Sequence, residues 1–190
     1  GEQPLPPYGA CLLGSLNLTR FVLDPFSDKA RLDIRSLEET TGTAVRFLDN
    51  VIDISQYPLP QQRAEALAKR RLGLGITGLA DALAMSGLTY GSAEAAEAAR
   101  SWMAVIERSA YEASILLAKE RGPFPLFDPE RFAANGHAGM LNHDLRARIA
   151  RHGLRNGLLT SIAPTGTISL IAGNVSSGVE PIFSLRYERK

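Results

Sequence analysis

Late in the chain, Pro164-Thr165-Gly166-Thr167-Ile168-Ser169 lies between an apolar run at 157–163 and a helical turn at 168–172. The start of a helix exposes N–H groups that lack a partner, together with the positive end of the peptide dipoles, so it attracts phosphate. Thr165, Thr167 and Ser169 add hydroxyl donors, and Gly166 lets a ligand approach the backbone. The same residues also suit an ordinary threonine cap on a buried helix, and spacing does not separate the two readings. No Gly-Lys-Ser/Thr follows, so this is not a Walker loop.

The other reactive residue types are scattered. Glu2 alone reads as a solvated charge near the first residue. Cys11 is the one cysteine of the chain; by itself it reads as a small buried hydrophobe, reactive only beside a base or a second thiol. Glu180 before Pro181 reads as a solvated turn residue, and His137 as an exposed loop residue. Asp49, Asn50 and Asp53 share helical spacing and read as a polar face; so few ligands do not make a metal site.

These residues need elements to position them. Residues 10–22 read as a short buried strand or a turn of helix. Residues 33–55 read as a helix with Leu37, Thr41, Ala44, Leu48, Val51 and Ile52 on one apolar face. Ser36 and Glu39 have capping-box spacing there, and Asp33 competes as the cap. Pro58 and Pro60 end that helix, and Pro60 opens a second over roughly 60–70. Residues 71–78 read as a buried strand whose glycines mark close approach of another backbone or a ligand. A helix through Leu79, Leu83 and Met85 stops near Gly87.

Ser92 caps a long helix that Gly122-Pro123 ends, with Ala95, Ala99, Trp102, Met103, Ile106, Ala110, Ala113 and Leu117 as its buried stripe. Residues 123–142 read as a loop anchored by Phe124, Phe127 and Phe132, and 143–152 as a short amphipathic helix. A buried strand at 157–163, the Pro164–Thr167 turn, a helical turn ended by Gly173-Asn174 and a last strand around 182–187 complete the chain. Strands alternating with helices predict an α/β fold with parallel pairing.

Composition narrows the function classes. With 21 Lys plus Arg against 20 Asp plus Glu over 190 residues, the net charge of +1 offers no basic field for nucleic acid. One cysteine allows neither an internal disulfide framework nor a cysteine-built metal site, and the three histidines lack ligand spacing, so no metal is expected. No apolar run approaches the roughly 20 residues that span a membrane, and no leader opens the chain; a cytoplasmic protein without membrane contact is expected. The abrupt start at Gly1 and the Arg186–Lys190 end predict a fragment or one part of a split protein. Residue by residue, this reaches an α/β piece with a candidate anion site, and no reaction.

Read in order, several segments resemble one family. They are Gly1-Glu2-Gln3-Pro4-Leu5, Cys11-Leu12-Leu13-Gly14-Ser15-Leu16-Asn17-Leu18, Leu48-Asp49-Asn50-Val51-Ile52-Asp53 and Gly73-Leu74-Gly75-Ile76-Thr77-Gly78-Leu79-Ala80-Asp81-Ala82. Gly153-Leu154-Arg155-Asn156, Ala163-Pro164-Thr165-Gly166-Thr167-Ile168-Ser169, Gly173-Asn174 and Val179-Glu180-Pro181 follow. Together they resemble the C-terminal part of the catalytic barrel of the ribonucleotide reductase large subunit, most like class II, the adenosylcobalamin-dependent reductases.

The resemblance spans nearly the whole chain. It implies that residues 1–190 are the C-terminal portion of a ten-stranded α/β barrel, incomplete without its earlier strands. It implies reduction of ribonucleotides to deoxyribonucleotides by thiyl-radical chemistry, with the radical cysteine located just before Gly1. Glu2 then resembles the base that acts on the 3′ hydroxyl, and Cys11 one of two reducing cysteines whose partner lies in the N-terminal part. Pro164, Thr165, Gly166, Thr167 and Ile168 resemble the loop that holds the substrate phosphates, which favours the anion reading of that turn. The implied partners are a ribonucleoside di- or triphosphate, the N-terminal part of the reductase and a thioredoxin-like reductant. The implied cofactor is adenosylcobalamin, bound mainly by regions outside this chain. The alternatives are a non-catalytic docking or assembly module for a full reductase, or another glycyl- or thiyl-radical barrel enzyme; no glycyl-radical motif supports the last.

Overall fold

The structure is a computed structural model and describes residues 4–182, 184 and 186. Glu2 and most of the expected last strand lie outside these residues; Ile182, Ser184 and Arg186 are in no strand.

Two parallel strands form the centre. β1 (Leu12–Asn17) pairs with β4 (Leu72–Thr77) in register from Leu12 opposite Leu72 to Asn17 opposite Thr77. A parallel pair needs a long crossover, and here it carries a 3₁₀ turn (Leu18–Phe21), α1 (Ile34–Ile54) and α2 (Pro60–Lys69). Within it, β2 (Val22–Leu23) and β3 (Arg31–Leu32) form a short antiparallel pair. Residues 10–22 therefore hold both of the expected alternatives, a strand and then a turn of helix.

The strand side chains alternate between two faces. A Cβ on Gly14 would touch Leu48 of α1, which places Leu12, Gly14 and Leu16 on the helix side. Leu16, Leu72, Leu74 and Ile76 are buried there with Leu37, Val45, Leu48 and Ile52 of α1 and Trp102, Ile106 and Ala110 of α4 (Ala93–Arg121). Asp33 caps α1: its Oδ1 accepts from the Ser36 N–H at 3.1 Å and its Oδ2 from the Ser36 hydroxyl, so the capping box does not form. The buried stripe of α1 is Leu37, Thr41, Val45, Leu48, Asp49 and Ile52, with Ala44 and Val51 half-buried at its edge.

α3 (Leu79–Met85) follows β4 directly. After α4, the stretch expected to be a loop contains two short helices, α5 (Pro129–Ala133) and α6 (Gly136–Met140). Asp128 and Asn135 cap them through side-chain bonds to backbone N–H groups; five residues are too few for helical periodicity to show. Phe124, Phe127 and Phe132 pack with Ile115, Leu141, Leu145, Ile149 and Leu154 in a second apolar cluster around α7 (His143–His152).

The expected strand at 157–163 runs along the free edge of β4 without forming a regular ladder. The Leu72 N–H donates to the Leu158 carbonyl and the Leu74 N–H to the Leu159 carbonyl, both at 2.9 Å. Successive carbonyls thus face β4 where a parallel strand would present alternate ones, and only Leu74 and Thr160 form a bridge. α8 (Ile168–Ile171) then closes the strand-end region. Among the described residues, no helix is long and apolar enough to cross a membrane.

Candidate functional site

The face of the sheet turned away from α1 and α4 is lined by small residues. A Cβ on Gly73 would collide with Leu13 and lie 3.2 Å from the Cys11 Sγ; one on Gly75 would overlap the Ser161 carbonyl oxygen. The backbone clash makes Gly75 a requirement of close protein packing on this face, whereas at Gly73 the Leu13 side chain would have to move. Cys11 is half-buried immediately before β1, at the edge of this floor. At about 3.3 Å per residue, the strand ends at Asn17 and Thr77 lie on the order of 20 Å further along.

At those strand ends lies the 164–178 loop, beside a cleft of about 480 Å³. Pro164, Gly166, Ser169, Asp81, Ser176 and Glu180 are among its lining residues. The carboxyl ends of parallel strands are where open α/β sheets bind ligands. Gly166, Thr167 and Ile168 are exposed here; beyond them the Ser169 N–H is bonded to the Thr165 carbonyl and the Leu170 N–H to the Thr167 carbonyl.

Two of the hydroxyls expected to face an anion turn inward instead. Thr165 is 8% exposed, and its φ of 57° is a left-handed conformation rare for a β-branched residue. Its Oγ1 accepts from the Gly178 N–H at 2.7 Å and lies 3.0 Å from the Thr77 Oγ1. Thr77 donates its own proton to the Ser176 carbonyl, so the Thr165 hydroxyl donates to Thr77. Ser169, also buried, is bonded to the Gly166 carbonyl and the Ser177 hydroxyl. The Thr167 hydroxyl does not cap α8 and stays exposed. The turn therefore offers an anion its backbone N–H groups and Thr167.

Ser176 fills the start of α3, which Gly78 leaves without a side-chain cap. Its Oγ accepts from the Ala80 and Asp81 N–H groups, and its own N–H donates to the Asp81 carboxylate. From the end of β1, the Asn17 Nδ2 donates to the Ala172 carbonyl at 3.1 Å. These roles for Asn17, Thr77, Asp81 and Ser176 are long-range, 95 residues apart for Asp81 and Ser176. The only trace of Asn17, Thr77 and Asp81 in the sequence was their place inside the ordered motifs.

Of the polar face expected on α1, Asn50 and Asp53 are exposed, whereas Asp49 is drawn into a buried charge network. Asp49 is fully buried; its Oδ1 accepts from the Arg70 Nε and the Asn156 Nδ2, both at 2.9 Å, and its Oδ2 from the Arg155 Nε at 3.3 Å. Arg70 also donates to Asp53, and that bond holds the Asp53 carboxyl below the usual carboxylate range. A buried carboxylate survives by pairing, and these cationic and amide donors come from distant segments. Among the described residues no group of three or more His, Cys, Asp and Glu could hold a metal. His137 is exposed, as expected, but sits on α6 rather than in a loop, 3.0 Å from Glu107 and stacked on Tyr111. Burial and then the Glu107 charge push the Tyr111 hydroxyl up to about 12. Glu180 is an exposed turn residue whose N–H donates to the Ser177 carbonyl.

Residues 1–190 match the family described as "Ribonucleotide reductase, barrel domain". The chain belongs to that family. It is 46% identical over 189 residues to the vitamin B12-dependent ribonucleoside-diphosphate reductase of Mycobacterium tuberculosis, covering 100% of this chain and 24% of that protein. The enzyme of the same name from Thermoplasma acidophilum is 41% identical, with 100% of this chain and 22% of the relative covered. The ribonucleoside-diphosphate reductase subunit alpha of Chlamydia muridarum is 38% identical over 91% of this chain and 18% of its own length. The chain thus spans a quarter or less of these reductases. In this chain, the half-buried Cys11 and the Pro164–Ile168 turn lie toward opposite ends of one strand pair.

Proposed function

We propose that this chain is the C-terminal part of the catalytic barrel of an adenosylcobalamin-dependent ribonucleoside-diphosphate reductase, acting with the part that carries the radical cysteine. The observation that carries the reading is the unbroken match of the whole chain to vitamin B12-dependent reductases at 46% and 41% identity. The parallel strand pair, flanked by the 157–163 segment, is consistent with one segment of a ten-stranded barrel. A ribonucleoside diphosphate is the substrate that the relatives' names support.

In this reading the exposed backbone N–H groups of Gly166, Thr167 and Ile168 and the Thr167 hydroxyl hold the substrate phosphates. Fixing the phosphates turns attack on the ribose into a positioned, intramolecular-like event. Cys11 serves as one of two thiols; with a cysteine from the N-terminal part it forms a disulfide, supplying two electrons and two protons as the 2′ hydroxyl leaves as water. Two sulfurs must come within bonding reach for this, so the partner segment must cover Cys11. Glu2, outside the described residues, is the base for the 3′ hydroxyl. A thioredoxin-like protein restores the thiols.

The described residues do not form a cradle for the cofactor. The strand-end cleft of about 480 Å³ suits a phosphate-bearing group and is too small to enclose a corrin with its axial ligands. Adenosylcobalamin is therefore assigned to other parts of the reductase.

The test is turnover of the full-length protein with adenosylcobalamin, a dithiol and a ribonucleoside diphosphate. Deoxyribonucleotide should form, and Cys11→Ser should abolish multiple turnover. Wild-type turnover in Cys11→Ser would overturn the assignment of the thiol. A stable full-length protein with no reductase activity would favour a docking module.

A further inference from the structure

We propose that Thr77 and Asp81 are positioning residues that clamp the 164–178 loop in its ligand-ready shape. This rests on the reading of Pro164–Ile168 as the phosphate turn. The clamp is anchored on rigid elements, the end of β4 and the first turn of α3. Every polar group of Ser176 is engaged there: its carbonyl accepts from the Gly78 N–H at 2.7 Å and the Thr77 hydroxyl at 3.0 Å, its N–H donates to Asp81, and its Oγ caps α3. Through the same Thr77 hydroxyl, the clamp reaches Thr165, the strained residue at the root of the turn. A β-branched residue keeps a left-handed backbone only where its surroundings over-determine it, and the two hydroxyl bonds of Thr165 do that. The exposed N–H groups that follow are thereby presented before any ligand arrives, which lowers the cost of binding.

Asp81 sharpens the inference because its charge has the wrong sign for the site. It lines the same cleft as Pro164 and Gly166, where a carboxylate repels a phosphate. Its bond to the Ser176 N–H accounts for its presence. Charge and clamp therefore predict opposite outcomes when the side chain is changed.

The experiment measures steady-state kinetics of the full-length reductase with a ribonucleoside diphosphate, and inhibition by inorganic pyrophosphate as a phosphate-only probe. Asp81→Ala breaks the clamp and should raise KM and the pyrophosphate Ki about tenfold, with kcat within about twofold. Asp81→Asn keeps an acceptor oxygen and removes the charge, so KM should stay level or fall. Thr77→Val should raise KM about tenfold, and Thr77→Ser should restore it. If Asp81→Ala lowers KM as Asp81→Asn does, the residue acts by charge alone and the clamp is refuted; unchanged KM in both Asp81→Ala and Thr77→Val also refutes it. Should Thr77→Val not fold, the two Asp81 variants decide. Failure of pyrophosphate to compete in the wild-type enzyme would instead show that the turn holds no phosphate, a separate result that removes the basis of the clamp.

Discussion

Replacing Asp49 by alanine should loosen the 157–163 segment from β4. Asp49 is fully buried and ties α1 to Arg70, Arg155 and Asn156. Removing one partner of a buried ion pair costs about 3–5 kcal/mol, because the remaining charge stays buried and unpaired. Here part of that cost is relieved. Arg70, itself only 3% exposed, keeps its bonds to Asp53 and to the Asp49 carbonyl. Arg155 keeps the Arg121 and Gly122 carbonyls, and Asn156 keeps the Arg70 carbonyl. The low end, about 3 kcal/mol, is therefore expected, and at 1.4 kcal/mol per factor of ten it amounts to roughly 100-fold. The readout is amide hydrogen exchange in the full-length protein at Leu72, Leu74 and Ser161, whose N–H groups bond across that junction. Protection should fall roughly 100-fold in Asp49→Ala and less in Asp49→Asn, which keeps an acceptor. A fall of less than about threefold in Asp49→Ala would show that the network does not hold the segment, and would refute the reasoning.

Two other perturbations follow from the same packing. Gly75→Ala puts a methyl group onto the Ser161 carbonyl and should destabilise by about 1–3 kcal/mol or more, whereas Gly42→Ala, in α1 with nothing near its Cβ, should stabilise by about 0.5–1 kcal/mol; urea midpoints moving in opposite directions check both. Asp53 has a carboxyl depressed chiefly by its bond from Arg70, so its stabilising contribution is present above the ordinary carboxylate pKa of about 3.9 and is lost as pH falls through the lower folded value. Stability measured from pH 6 to pH 3 should therefore drop on the acid side, and Asp53→Asn should flatten that drop.

The elements were legible where local signals were strong. Ser92 and Gly122 bound α4, Pro60 opens α2, and the glycine-rich run is the buried strand β4. Signals that depend on distant partners were not legible. Asp49 reads from sequence as part of a polar face because nothing near it in sequence announces Arg70, Arg155 or Asn156. The hydroxyl of Thr165 looked available to a ligand because its use depends on Thr77, 88 residues earlier. The segment at 157–163 has the apolar character of a strand, but strand pairing is a property of two segments, and the carbonyls it presents to β4 are successive rather than alternate. The Pro164–Ile168 turn was visible from residue types, whereas the clamp behind it required the fold.

The most direct test of the central claim is a structure of the full-length protein bound to a ribonucleoside diphosphate. Phosphate oxygens should lie at the backbone N–H groups of Gly166, Thr167 and Ile168. Phosphates bound away from that turn would contradict the phosphate reading.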